Sequence, residues 1–427
     1  MHIRPLQMTC PEEAIAAARV EATAFRSPQG YCQLLSDLKQ GKTLQDPETS
    51  DPPRMIWGAF AGEELVAVTT AISLQMLYED LPVCLCGVGG VATLPEYRRR
   101  GAIRAIFAAL LRHARSQGQI FSYLFPFSFA FYGQFGYGPG CNRYRVELPM
   151  NLLLSMPETG QVRAMTQADQ VCVQNIYEQF ITGSNGAIIR SGANWEKHFN
   201  RDRFAEQYHT YIWQNEKGQD AAYMTFETLR GKDGRTLHIQ DWACSSLDGM
   251  RAMLSFLKRF SDPYDAVDLY VPLHIQLTNL FPEPGQISRF LETYGQIRVL
   301  NIKEALIRLL QPEWLHREIR FCAKTKSDLD LNIRVTDSFL PENSGLYQLS
   351  LDSDLPTVLY NEKPPDDAPF DLSVSERVLA TLLLGSQGLF DLIGHPEMTM
   401  GPHLSPERID LLGRFLKNKK NGIYDYF

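Results

Sequence analysis

The feature that most limits the possible folds is a succession of strand, helix and strand that the chain contains twice. In the first instance, the apolar segment 83–93 precedes a helical pattern that begins near Gly101 and extends to about Ser116. Gly118 follows at a position where a glycine commonly ends a helix, and the apolar segment 120–127 is the next predicted strand. This part of the chain is therefore predicted to be a mixed domain of strands and helices.

The same order recurs about 150 residues later. Segments 236–244 and 265–273 are predicted strands, and segment 247–260 between them has helical spacing. The apolar residues on one face of that helix are Leu247, Met250, Leu254 and Leu257. The recurrence predicts two copies of one domain type, of which the second lacks the arginine–glycine stretch described below and is expected to have lost any anion site.

From about Arg298 onward the pattern is that of a different domain. Segments 329–335 and 346–351 are predicted to be two strands joined by a turn. Serine caps predict two helix starts, at Ser373 with Glu376 and at Ser405 with Pro406. The third segment is therefore predicted to be α+β.

Composition limits the classes of function. The net charge of −7 argues against nucleic acid as the main partner and leaves room for cationic substrates. No apolar run reaches the roughly 18 residues that a membrane span needs, and residues 1–14 contain no apolar region of a secretory signal. The eight cysteines form no CxxC pair, so no metal site is expected, and reduced thiols in a cytoplasmic protein are the simplest interpretation.

Positive charge is concentrated at the start of the first predicted helix. Arg98, Arg99 and Arg100 precede Gly101, and Arg104 follows in the first turn. Cations at a helix N-terminus oppose the helix dipole by about 0.3–1 kcal/mol each, whereas a bound phosphate would be stabilised by the free N–H groups and by the arginines. The alternative is a solvated basic helix end without a ligand.

Two known phosphate-binding motifs do not explain this segment. The pattern GxxxxGK[ST] is absent. Residues 87–92 match the dinucleotide pattern GxGxxA, but that pattern must open directly into a helix, and Thr93, Leu94 and Pro95 intervene here. We therefore interpret these glycines as a loosened strand or a bulge.

The segment VATLPEYRRRGAIRAIF resembles the acetyl-CoA motif of GCN5-related N-acetyltransferases (GNAT), R/Q-x-x-G-x-G/A, with Arg98, Gly101 and Ile103 at its defined positions. Ile103 is larger than the usual small residue, which predicts a slightly wider pyrophosphate loop. The segment FSFAFYGQFGYGPG is similar to the YGRFGYG signature of the enhanced intracellular survival (Eis) acetyltransferases. The resemblance covers nearly the whole chain and implies a mixed α/β (α+β) fold of three domains: a GNAT domain over 1–155, a degenerate second GNAT domain over 156–297, and a sterol-carrier-protein-like (SCP2-like) domain over 298–427.

The resemblance also implies which residues bind acetyl-CoA. Backbone N–H groups of Val91, Ala92 and Thr93 would hold the pantetheine arm, and that of Val91 would polarise the thioester carbonyl. The residues implied for the pyrophosphate are Arg99, Arg100, Gly101, Ala102, Ile103 and Arg104. Phe127 and Ser128 replace the Ser-Glu that family members often have, a change that preserves backbone contacts to the cofactor but not a contact of the Glu side chain. From the residues alone, Val91 and Ala92 are more simply interpreted as strand core.

Two catalytic groups follow from the same resemblance. Tyr132 would be the general acid for the departing thiolate, because a phenol with a pKa of about 10 stays protonated at neutral pH. In the Eis family the terminal carboxylate enters the active site of the first domain as general base, and here that group is the α-carboxylate of Phe427. Burial beside an apolar ring would raise its pKa. The alternatives are a core tyrosine and an apolar tail that docks for stability alone.

The predicted function is an acetyl-CoA-dependent N-acetyltransferase. It would transfer the acetyl group to a primary amine of a cationic small molecule, such as an aminoglycoside or a polyamine, or of a lysine side chain, by direct attack in a ternary complex. The family resemblance implies a cytoplasmic homohexamer, and no nucleic-acid or membrane partner is expected. The alternative is a non-catalytic protein that senses acetyl-CoA or carries a lipid in its SCP2-like domain.

Overall fold

The computed structural model describes residues 1–154, 156–157, 159–227, 235–311, 330–350, 357–402 and 404–427. The chain divides into two compact units. Unit 1 comprises Met1–Cys141, Gly295–Lys419 and Asp425–Phe427, and unit 2 comprises Asn142–Tyr294 and Lys420–Tyr424. Across the described ranges, no helix is both long enough and apolar enough to cross a bilayer.

Helices and strands occur throughout the described ranges of the chain. Up to residue 154 they are β1 (His2–Pro5), α1 (Pro11–Phe25), α2 (Gln29–Lys39), β2 (Arg54–Ala61), β3 (Glu64–Tyr78), β4 (Leu81–Thr93), α3 (Ala102–Ser116), β5 (Phe121–Leu124), α4 (Phe129–Gly133), β6 (Gly138–Pro149) and α5 (Met150–Leu154). From residue 156 to 311 they are β7 (Gln161–Ala164), α6 (Gln170–Ile181), α7 (Gly192–Phe199), β8 (Tyr208–Gln214), β9 (Asp220–Glu227), β10 (Thr236–Cys244), α8 (Leu247–Leu257), β11 (Ala266–Pro272), β12 (Ser288–Val299) and α9 (Ile302–Leu309). From residue 330 they are β13 (Asp330–Thr336), β14 (Gly345–Ser350), β15 (Thr357–Asn361), β16 (Leu372–Ser375), α10 (Glu376–Leu384), β17 (Met398–Met400) and α11 (Pro406–Phe415).

The first sheet of unit 1 has the order β1-β2-β3-β4-β5-β12. Strands β4 and β5 are parallel and are connected through α3, whereas β5 pairs with β12 antiparallel. The apolar stripe of α3 faces the sheet, with Ile106, Phe107 and Leu111 fully buried. Burial of such a side chain contributes about 1.5–3 kcal/mol relative to exposure, so helical spacing of apolar residues fixes the orientation of α3. The predicted strand–helix–strand unit is confirmed.

The glycines of β4 form a bulge, as the sequence predicts. Val68 of β3 pairs with Ala92, but Thr70 pairs with Gly89, so the register shifts between these pairs. Gly90 lies in the extra stretch with φ +59°, a left-handed conformation that favours glycine over side-chain-bearing residues. The bulge changes the direction of β4 immediately before Val91.

The second sheet of unit 1 has five strands in the order β15-β14-β13-β16-β17. The predicted strand pair is confirmed as the antiparallel β13 and β14, although residues 329 and 351 of the prediction lie outside the described residues. The predicted capping box at Ser373 and Glu376 is wrong. Ser373 lies in β16, where it pairs with Thr399 of β17, and the cap of α10 is Ser375, whose hydroxyl accepts a hydrogen bond from Val378 N at 3.4 Å. The cap at Ser405 is confirmed by its bond from Arg408 N at 3.3 Å.

The helix α10 of this domain is almost entirely buried. Leu379, Leu382 and Leu383 have no exposed surface. Its apolar side chains are therefore used in the core of unit 1.

Unit 2 contains a second strand–helix–strand element. Its sheet follows the order β6-β11-β10-β9-β8-β7, and β10 pairs with β11 in parallel across the connection made by α8. Met250, Leu254 and Leu257 of α8 are buried, as predicted, but Leu247 is exposed. Leu247 opens the first turn, immediately after the cap Ser246, so its side chain precedes the part of the helix that packs.

Candidate active site

The strands β4 and β5 separate at one end of the first sheet. Their pairing runs from Leu85 with Phe121 to Val88 with Leu124, after which β4 continues to Thr93 while β5 stops. The predicted strand 120–127 was therefore too long. Pro126 has no N–H group with which to extend the ladder. An opening is left beside the β4 residues Val91 to Thr93.

The loop after β4 leads into the start of helix α3, whose N–H groups are free of side-chain caps. Arg99 has φ +60° and Gly101 has φ +81°, and a left-handed conformation costs a residue with a side chain about 1–2 kcal/mol. The helix α3 begins at Ala102 with Gly101 as its N-cap and with no side-chain cap. Unsatisfied N–H groups at such a start bind anions.

The corresponding helix of unit 2 starts differently. Ser246 precedes α8, and its hydroxyl accepts a hydrogen bond from Gly249 N at 3.1 Å. A serine cap satisfies one of the donors that a ligand would otherwise use. This capping is consistent with the predicted loss of an anion site in the second copy.

A cavity of about 850 Å³ opens at the start of α3. Eight of the residues predicted for the cofactor line it: Val91, Thr93, Arg99, Gly101, Ala102, Ile103, Arg104 and Phe127. Arg98, named in the motif, also lines it, together with residues that the sequence reasoning did not assign: Ala24, Phe25, Tyr97, Phe131, Gln134 and Phe135. Its size is within the range of pockets for organic ligands, about 300–1,000 Å³.

Three other predicted residues are not among those that line the cavity. Ala92 is 2% exposed and packs in the cluster that includes Val20 of α1. The guanidinium of Arg100 lies 5.3 Å from the centre of the Tyr97 ring. Ser128 caps α4, its hydroxyl accepting a hydrogen bond from Phe131 N at 3.3 Å.

Tyr132 lies on α4, surrounded by aromatic residues. Its ring centre is 5.0 Å from that of Phe131 and 5.4 Å from that of Phe127, both of which line the cavity. Burial, with a smaller effect of nearby Tyr426, raises the pKa of Tyr132 to about 12. The phenol is therefore a neutral proton donor over the whole physiological range.

Phe427 lies against the β4–β5 pair. A Cβ atom on Gly87 would be only 2.6 Å from the Phe427 ring, whose centre is 5.0 Å from that of Phe125 and 6.5 Å from that of Tyr123. Gly87 is paired with Tyr123 at the last but one position before the strands separate. Phe427 therefore lies against β4 at Gly87, four residues before Val91.

A buried ion pair fixes the segment that leads to Phe427. Lys419 and Glu79 are in contact, with side chains only 9% and 4% exposed. Desolvation lowers the pKa of Lys419, although the attraction of Glu79 opposes this. The ion pair therefore fixes the chain at Lys419, eight residues before Phe427.

Two buried polar side chains of β12 bind the segment 129–137, which contains Tyr132, and sequence reasoning missed both. Gln296 donates to Phe129 O at 3.3 Å and to Tyr137 O at 3.0 Å. Arg298, which has no exposed surface, donates to Phe135 O and to the Asp337 carboxylate. The signal in the sequence was the alternation of these two polar residues with Ile297 and Val299 at the end of β12.

Comparisons with known proteins identify the class. Two sequence models of the acetyltransferase (GNAT) domain match residues 2–140 and 186–299, and a sterol carrier protein domain matches residues 316–404. A protein of Streptomyces avermitilis described as an uncharacterized N-acetyltransferase is 24% identical over 406 residues, which is 87% of this chain and 88% of that protein. The chain is therefore an N-acetyltransferase of the GNAT class, and the predicted mixed fold of two GNAT domains followed by a sterol-carrier-like domain is confirmed.

Two further comparisons place it more narrowly. The N-acetyltransferase Eis of Mycobacterium tuberculosis is 34% identical over 83 residues, covering 19% of this chain and 21% of that protein. The crystal structure of Eis1 from Mycobacterium abscessus superposes on the fold with a TM-score of 0.74 at 20% identity, covering all of both chains. The protein is an Eis-like GNAT acetyltransferase, as the sequence resemblance predicted.

Proposed function

We propose that this protein transfers the acetyl group of acetyl-CoA to a primary amine of a cationic acceptor. The acceptor class is an aminoglycoside- or polyamine-like small molecule or a lysine side chain. The observation that supports the proposal most directly is the uncapped start of α3, which opens with Arg99 and Arg104 into a cavity beside the separated end of β4.

The residues present fit coenzyme A. The N–H groups at Ala102 and Ile103 lack side-chain caps and, together with Arg99 and Arg104, would bind its diphosphate. The stretch from Val91 to Thr93 has no β5 partner, so its backbone is available to the pantetheine arm. When bound, the cofactor supplies an activated thioester, whose carbonyl oxygen the Val91 N–H would polarise.

Each proton has an assigned group in the proposed reaction. The neutral amine nitrogen attacks the acetyl carbonyl carbon directly, so that the C–N bond forms as the C–S bond breaks. The α-carboxylate of Phe427, taken as the last residue of the chain, accepts the proton of the amine. Tyr132 donates its phenolic proton to the departing sulfur, since its raised pKa keeps the donor protonated.

Calorimetry with acetyl-CoA, together with a thiol-release assay over a panel of amines, tests the proposal. We expect Arg99→Gln and Arg104→Gln each to weaken acetyl-CoA binding about ten-fold or more, because bonds to charged groups are worth about 1.5–3 kcal/mol. Arg112→Gln is the matched control, since Arg112 lies on the same helix but bonds Glu342 at 2.9 Å. Equal effects of all three substitutions, or no binding to the wild type, would contradict the proposal.

Assembly and location follow from the family resemblance. We propose a cytoplasmic homohexamer. Light scattering on the purified protein measures its mass directly, and a monomer would refute the assembly without affecting the proposed chemistry.

A further inference from the structure

A carboxylate that the proposed mechanism does not use lies next to the bulge of β4. Glu21 Oε1 is 3.1 Å from the position that a Cβ atom on Gly90 would occupy, and Thr70 Oγ1 is 3.2 Å from the same position. Gly90 immediately precedes Val91, the residue whose N–H is assigned to the thioester carbonyl. Because Gly90 has no side chain, the Glu21 carboxylate reaches the backbone of β4 at this point.

Glu21 lies on the face of helix α1 that is turned toward the cavity. Ala24 and Phe25 line the cavity, and they follow Glu21 on α1 by three and four residues. Residues at these spacings share one face of a helix. On the face of α1 that is turned toward the cavity, Glu21 therefore lies one helical turn before Ala24 and Phe25.

The two other acidic residues of α1 have an evident structural role, and Glu21 does not. Glu13 forms an ion pair with Arg4 at 2.8 Å, and Glu12 lies in the first turn, where a negative charge is favourable to the helix dipole. Glu21 is partly buried, and desolvation raises its pKa. In the described part of the chain no hydrogen bond or ion pair to its carboxylate offsets this cost.

Charges of opposite sign thus lie near the two ends of the segment 90–104. The arginines surround the start of α3, where a diphosphate would bind, whereas Glu21 lies at the β4 bulge, where the acetyl carbon would be. A carboxylate in a partly dry position binds a cation by a charge-assisted hydrogen bond. Its location beside the reacting atoms matches an acceptor that has an ammonium group near the amine to be acetylated.

We propose that Glu21 binds an ammonium group of the acceptor and thereby selects polycationic amines over amines with a single charge. The inference rests on the proposed acetyl transfer and deepens it. Gly90 is part of the same recognition element, because any side chain there would meet the carboxylate.

Steady-state thiol release with a diamine and with the amino alcohol of equal length tests the proposal. For Glu21→Gln we expect kcat/KM with the diamine to fall about ten- to hundred-fold, mainly through KM, the range of one charge-assisted bond. With the amino alcohol, which lacks the second ammonium group, the change is expected to be less than about two-fold. Glu21→Asp, which keeps the charge, should recover part of the preference.

Glu12→Gln is the matched control on the same helix and should change neither acceptor. An unchanged acetyl-CoA affinity in Glu21→Gln, measured by calorimetry, shows that the variant is folded. Equal losses with both acceptors, or none with either, would overturn the assignment of Glu21 while leaving acetyl transfer intact. If the wild type released no thiol with any amine, the proposed function would fail instead, and calorimetric binding of the diamine to wild type and Glu21→Gln would still decide the role of Glu21.

Discussion

The substitution Gly87→Ala tests whether the position of Phe427 matters for turnover. The added methyl carbon would lie 2.6 and 2.8 Å from two ring carbons of Phe427 and 2.9 Å from Leu74 Cδ1, whereas carbon atoms in contact are about 3.5–4.0 Å apart. Leu74 is buried, so the terminal ring is the freer neighbour and must move by about 1 Å. Because a misplacement of about 1 Å in a catalytic group can cost on the order of 100-fold, we expect kcat in the thiol-release assay to fall by one to two orders of magnitude.

Two comparisons separate this effect from general damage to the strand. Gly89→Ala adds the same methyl group to β4 where the nearest atom, Ile72 Cδ1, is 3.9 Å away, so its effect should be small. In a chain that lacks Phe427, Gly87→Ala should cost little more, since two changes that act through one residue are not additive. Full turnover in Gly87→Ala, or additive losses in the double variant, would refute the reasoning and with it the assignment of the general base.

Three further predictions concern single side chains. Tyr132→Phe should lower kcat about 10²–10⁴-fold, the usual contribution of a general acid, while calorimetry should show an unchanged acetyl-CoA affinity. Because the pKa of Tyr132 is raised to about 12, the kcat of the wild type should show no loss from this group as the pH passes 10. Gly101→Ala places a side chain at φ +81° and should lower the free energy of unfolding, measured by urea denaturation, by about 1–2 kcal/mol. It should also weaken acetyl-CoA binding. Gly30→Ala is the control and should not destabilise the protein, because a methyl group at this position of α2 has open space around it. Arg298→Met leaves the buried carboxylate of Asp337 without its cation and should lower the free energy of unfolding by about 3–5 kcal/mol; a loss under about 1 kcal/mol would contradict the importance of that pair.

Short sequence patterns predicted the features that depend on residues close together in the chain. Helical spacing located α3 and α8, the glycines of β4 predicted its bulge, and the arginines before Gly101 indicated a segment that lines the cavity at the start of α3. The errors arose where neighbours in space decide the outcome. Ser373 and Ser375 are both possible caps for α10, and the structure uses Ser375. The roles of Gln296, Arg298 and Glu21 depend on strands and helices that are distant in sequence, and residue spacing does not indicate such contacts.

The contrast between the helix starts of α3 and α8 has a thermodynamic consequence. The serine at α8 completes its helix during folding, so the stability of unit 2 gains nothing from a nucleotide-containing ligand. In the proposed complex the ligand would satisfy the free N–H groups at the start of α3, and saturating ligand would raise the free energy of unfolding in proportion to the logarithm of its concentration. Of these two related helix starts, that of α3 would thus couple the stability of the fold to the supply of the acetyl donor.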